Sequence, residues 1–125
     1  MKIEVSHGEV SDRFSILRIK LEKIRDERKR KQVETELENL VSKFDKIMKD
    51  SDQLFVDLLE TNRELWELES TIREKERLQQ FDQQYIEISR AIRNYNDRRS
   101  DLKQRINQQT DSLLGEVKEY GYQSK

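Results

Sequence analysis

The chain has no cysteine, no proline, three glycines and one histidine in 125 residues. Without cysteine there is no disulfide framework, no thiolate metal site and no cysteine nucleophile. A single histidine excludes any site that needs two imidazoles. Gly8, Gly115 and Gly121 are too scattered to form a phosphate-binding glycine loop. The longest apolar run is Leu54-Phe55-Val56, far short of the roughly 20 residues that a spanning helix needs. The N-terminus lacks the apolar stretch of a secretory signal. A cytoplasmic protein with no membrane contact is therefore expected. No carboxylate loop of the calcium-binding kind is present either, so neither a metal nor a cofactor is expected.

Charge is what the chain has in abundance. Charged residues make up 41% and hydrophobic residues 33%, against about 25% and about 45–50% in ordinary domains. The 25 basic and 26 acidic groups leave a net charge of −1. The signs are interspersed along the whole chain, so no basic stripe invites nucleic acid. Mixed signs at this density fit solvated helix surfaces with i,i+4 pairs.

The apolar residues are sparse but regular, which argues against disorder. Val10, Phe14, Leu17, Leu21 and Ile24 step by 4, 3, 4, 3, one face of a helix. Ser6 and Glu9 form a capping-box pattern before it. Val33, Leu37, Leu40, Phe44 and Ile47 repeat the spacing, with Asp26 as a cap. Leu54, Leu58, Leu65, Leu68 and Ile72 form a third stripe, with Thr61 in the missing position and Asp52 among the cap residues before it. Phe81, Tyr85, Ile88, Ile92, Tyr95, Leu102 and Ile106 form the fourth, with Arg99 in its one polar slot and Asp82 as cap. Only Lys2-Ile3-Glu4-Val5 alternates like a strand, too short to build a sheet. The expected fold is all-α: one domain over residues 1–125, an antiparallel bundle of about four helices with coiled-coil-like packing. The helices are placed near 7–25, 28–49, 52–78 and 82–112, with a loose tail over 116–125. Ile16 and Ile19, and Phe55, Leu59 and Trp66, add second apolar strips to the first and third helices. Those strips are either covered within the chain or meet a partner, so a homo-oligomer or a protein partner is expected.

Two polar rows stand out. Asn62, Trp66, Glu69, Arg73 and Glu76 step by 4, 3, 4, 3, and Asn62, Glu69 and Arg73 fall between two apolar strips. Glu69 and Arg73 have the favourable order for an i,i+4 ion pair. On the fourth helix Asn96, Arg99, Lys103 and Asn107 share a flank. Packed side by side, the two rows bring Glu69 and Glu76 toward Arg99 and Lys103. One reading is a structural salt-bridge network that fixes helix register. The other is a site for a phosphate or carboxylate, lined by Trp66, Glu69, Arg73, Asn96, Arg99 and Lys103. His7 reads as a surface or cap-associated residue, and Arg28–Lys31 as a solvated turn.

The sequence also resembles a family of short bacterial proteins grouped as a domain of unknown function. The similarity rests on Asn62-x-x-Leu65-Trp66-x-x-Glu69, on Ile72-Arg73-x-x-Glu76 and on Phe81-Asp82 with Tyr85 and Ile86. It continues through Asn96-Asp97-x-Arg99-x-x-x-Lys103-x-x-Ile106-Asn107 and the tail Glu116-Val117-Lys118-Glu119-Tyr120. The N-terminal Met1–Glu9 segment and Ile16–Ile24 are similar as well. Residues 26–52 match mainly in pattern, and the proline expected in the family's first turn is absent. The resemblance implies a small helical protein without an assigned activity. The leading functional reading is a non-enzymatic helical interaction or oligomerisation module. Small-molecule binding at the polar rows of the third and fourth helices is the alternative.

Overall fold

A helix start leaves four backbone N–H groups without partners, and a preceding Ser or Asp side chain can satisfy one of them. In the computed structural model, which describes residues 4–112, Ser6 accepts from the Glu9 N–H and Asp26 from the Arg28 N–H. Asp52 accepts from the Leu54 N–H and Asp82 from the Tyr85 N–H. These caps open α1 (His7–Lys23), α2 (Glu27–Ile47), α3 (Gln53–Arg77) and α4 (Gln83–Gln109). The described residues contain no strand, and no helix among them is long and apolar enough to cross a membrane.

The helix ends manage without glycine. After α3, Gln79 takes the left-handed conformation at φ 56°. The Gln80 N–H then donates to the Lys75 carbonyl and the Gln79 N–H to the Glu76 carbonyl, closing the exposed carbonyls in a Schellman turn. Asp111, at φ 54°, plays the same part after α4, with the Ser112 N–H on the Asn107 carbonyl. This turn stops α4 before residue 112. Gly115 and the tail 116–125 lie outside the described residues. At the first turn Arg30 donates to the carbonyls of Leu21 and, at 3.1 Å, Ile24. One member of the Arg28–Lys31 cluster thus caps the end of α1.

α1 is the central helix and packs against each of the other three. Contacts such as Arg13–Glu36 and Ser11–Met48 run it antiparallel to α2. Asn62 beside Asp12 and Glu67 beside Lys23 run it parallel to α3. Gly8 beside Asn107 and Asp12 beside Arg99 run it antiparallel to α4. The structure is a four-helix bundle with α2 on one side of α1 and the α3–α4 pair on the other. Three helices meet in a phenylalanine cluster. Phe14 stacks on Phe44 at 4.2 Å between ring centres, and Phe44 lies 4.6 Å from Phe55. Burying such a ring contributes about 1.5–3 kcal/mol before entropy is subtracted.

The second apolar strips of α1 and α3 are largely covered inside the chain. Ile19, Phe55 and Leu59 are all buried. The sequence left open whether they meet a partner, and the packing of α3 against α1 answers for these three. The outer half of α3–α4 has no such cover. The side-chain hydrogen bonds and ion pairs of residues 74–95 stay within the hairpin, joining Glu74 to Arg77, Lys75 to Asp82 and Glu76 to Tyr85. Around its tip Leu78, Phe81 and Ile86 are exposed, although Phe81 belongs to the fourth apolar stripe. Among the described residues no helix lies opposite them.

Candidate functional site

A helix lying between two partners must place any polar residue of its inward faces against another polar group. On α1 these residues are Ser11, Asp12 and Ser15, all buried. The Asp12 carboxylate is the centre of a network. Arg99 of α4 donates to it through Nε at 2.9 Å and Nη2 at 2.6 Å, a bidentate pair. Asn62 of α3 donates from Nδ2 to Asp12 Oδ1 at 3.0 Å and to Ser15 Oγ at 2.7 Å. The Ser15 hydroxyl in turn donates to the Asp12 carbonyl at 2.7 Å. One carboxylate on α1 therefore fixes the register of α3 and α4 together. Hydrogen bonding to Asp12 raises the pKa of Arg99 further, against the opposing effect of burial.

Toward the end of α4 the contact tightens. The Gly8 N–H donates to Asn107 Oδ1 at 2.7 Å. A Cβ at Gly8 would lie 2.5 Å from the Lys103 carbonyl oxygen, so only glycine permits this approach. Lys103 forms an ion pair with Glu9. His7 Nδ1 lies 2.8 Å from Thr110 Oγ1, so the histidine joins α1 to the end of α4.

Beside the Asp12 network, where the outer hairpin leaves the bundle, lies a cleft of about 260 Å³. From α1 it takes Ile16 and Ile19, and from α4 Asn96 and Arg99. α3 contributes Asn62, Leu65, Trp66, Glu69, Ser70 and Arg73. Five of the six residues singled out from the sequence thus surround one cavity. Lys103 is not among its lining and is engaged with Glu9 instead.

The pairing of charges differs from the expectation. Glu69 and Glu76 do not meet Arg99 and Lys103, because the basic flank of α4 turns toward α1 rather than α3 and finds Asp12 and Glu9 there. Glu76 accepts a hydrogen bond from the Tyr85 hydroxyl, which raises the tyrosine pKa. The i,i+4 pair of Glu69 and Arg73 is not formed. Among the described residues neither side chain has an ion-pair or hydrogen-bond partner, and both border the cleft.

Asp12 and Ser15 were missed from the sequence. Asp12 lies on the Ile16/Ile19 strip, one step of four before Ile16, as a polar interruption of an apolar stripe, and Ser15 lies between that strip and Val10/Phe14/Leu17. A second depression of about 420 Å³, lined by Glu60, Thr61, Arg63, Glu64, Tyr95 and Arg98, is more polar. Its Arg63 is held by Glu22, whose carboxyl is lowered first by the Arg63 hydrogen bond. Among the described residues no group of three or more carboxylates and histidines is placed to hold a metal ion.

The chain belongs to the Family of unknown function (DUF6165), whose model matches residues 1–124. No curated protein and no solved structure matches it.

Proposed function

We propose that the protein is a cytoplasmic, non-enzymatic interaction module that pairs with a second copy of itself through the outer α3–α4 hairpin, in a coiled-coil-like contact. The observation that carries this reading is the apolar tip. Phe81 is 61% exposed, with Leu78 and Ile86 exposed beside it, and Tyr85 meets Phe81 edge to ring at 5.3 Å. Exposed large apolar groups in a chain this lean in them favour a contact surface.

The hairpin's charges favour a like partner. Arg73, Lys75 and Arg77 alternate with Glu74 and Glu76 on α3, and Glu87 precedes Arg90 and Arg93 on α4. Interleaved signs can complement themselves across a two-fold axis, whereas nucleic acid calls for a basic stripe. Sedimentation of the full chain over a range of concentrations tests the reading. A dimer is expected, with Phe81→Glu sedimenting as a monomer of unchanged helicity. A wild-type chain that stays monomeric throughout would overturn it.

A further inference from the structure

We propose that the cleft between α1, α3 and α4 binds a small zwitterion with an apolar body, of the chemical class of a free apolar α-amino acid. The inference is independent of self-association through the hairpin tip. Its starting point is the unused pair on α3. Glu69 and Arg73 stand i,i+4 in the order that favours an ion pair, yet each borders the cleft with no partner among the described residues. They present one negative and one positive group on one wall. Among the described residues lining the cleft the one other ionic group is Arg99, closed on Asp12 at 2.6 Å.

This charge balance decides between ligand classes. A phosphate or simple carboxylate would meet Arg73 but also Glu69. Arg99 and Lys103, the cations that made an anion attractive, are committed to Asp12 and Glu9. A simple cation would meet Glu69 and also Arg73. A ligand carrying an ammonium and a carboxylate satisfies both. The apolar part of the lining comes from Ile16 and Ile19 of α1 and from Leu65 and the Trp66 indole, which flank the pair on α3 itself. A volume of about 260 Å³ lies below the roughly 300–1,000 Å³ of drug-sized pockets and matches a molecule of amino-acid size.

Trp66 is the sole tryptophan, so fluorescence excited selectively at tryptophan, beyond the absorption of the four tyrosines, reports on the cleft. L-Leucine and L-phenylalanine are titrated beside N-acetyl-L-leucine, L-leucinamide and inorganic phosphate. The expected result is a saturable fluorescence change with at least one free amino acid. Removing either ligand charge should weaken binding about tenfold or more, the scale of one charged hydrogen bond. Glu69→Gln should weaken L-leucine by the same factor and leave N-acetyl-L-leucine unchanged. Arg73→Gln should do the same with L-leucinamide as the indifferent ligand. Circular dichroism confirms the fold of each variant, and the capped-ligand series on the wild-type chain stands without them. No saturable response to either amino acid overturns the proposal. So does equal binding of the capped forms, or a wild-type chain that binds inorganic phosphate more tightly than either amino acid.

Discussion

Phe55 and Phe81 both belong to apolar strips read along the α3–α4 pair, and they meet opposite fates. Phe55 is wholly buried against Phe14 and Phe44, while Phe81 is 61% exposed and touches Tyr85. The inner end of the pair has α1 lying on it, and among the described residues the outer end has no helix opposite. Helical spacing therefore reports that a face exists, and the reach of neighbouring helices decides whether that face is filled.

The widest separation between the two regions should come from their aromatic rings. Phe55→Ala leaves a cavity at the meeting of three helices and should cost about 3–5 kcal/mol in urea unfolding. Phe81→Ala should fall within about 0.5 kcal/mol, measured in dilute solution where the chain is monomeric. Similar losses at both positions would break the comparison.

The ion pairs sharpen it. Asp12→Ala strands the Arg99 guanidinium and the Asn62 amide, and should cost about 3 kcal/mol, the lower end of the buried range because the Arg99 side chain keeps 31% of its exposure. Removing Glu74, whose partner Arg77 stands in solvent at the hairpin's outer end, should leave the unfolding midpoint unchanged, because solvent screens an exposed pair. Gly8→Ala gains helix propensity yet drives a methyl group into the Lys103 carbonyl. A net loss of about 1–2 kcal/mol is expected, the overpacking cost exceeding the propensity gain. A stabilised Gly8→Ala variant would show that α1 and α4 part freely there.

The smallest effect concerns acid. Asp82 caps α4, and its carboxyl is lowered first by the Tyr85 N–H and then by the Lys75 ammonium. A depressed carboxyl contributes its stability above its unfolded pKa and loses it as pH falls through the folded value. The α3–α4 turn should therefore loosen only below the ordinary carboxylate range, seen as faster exchange of the Tyr85 amide. Asp82→Asn should remove that dependence. An acid response unchanged in Asp82→Asn would assign it to another group.

The residues most legible in the sequence act locally. Ser6, Asp26, Asp52 and Asp82 were readable as caps because the cap and the N–H it serves lie within three residues. Arg99 was readable as a polar interruption of an apolar stripe. Its partner was not, since Asp12 lies 87 residues away and periodicity says nothing about which helices become neighbours. The assignment of Arg99 and Lys103 to the acids of α3 failed for that reason. α4 presents its apolar stripe to the interior and its basic flank to α1. Trp66, Glu69, Arg73 and Asn96 could be gathered from helical wheels because each lies where a polar row borders an apolar strip. The cleft itself needed Ile16 and Ile19 from a third helix.

The contrast between a packed inner bundle and an outer hairpin proposed to pair with a second copy is tested most directly by backbone hydrogen exchange at rising protein concentration. Amides of α1 and of the inner parts of α3 and α4 should be protected equally at every concentration. Those around Lys75–Ile88 should exchange fast when dilute and become protected as the chain is concentrated. Protection of the tip that does not depend on concentration, or a dependence centred on α1 and α2, would contradict it.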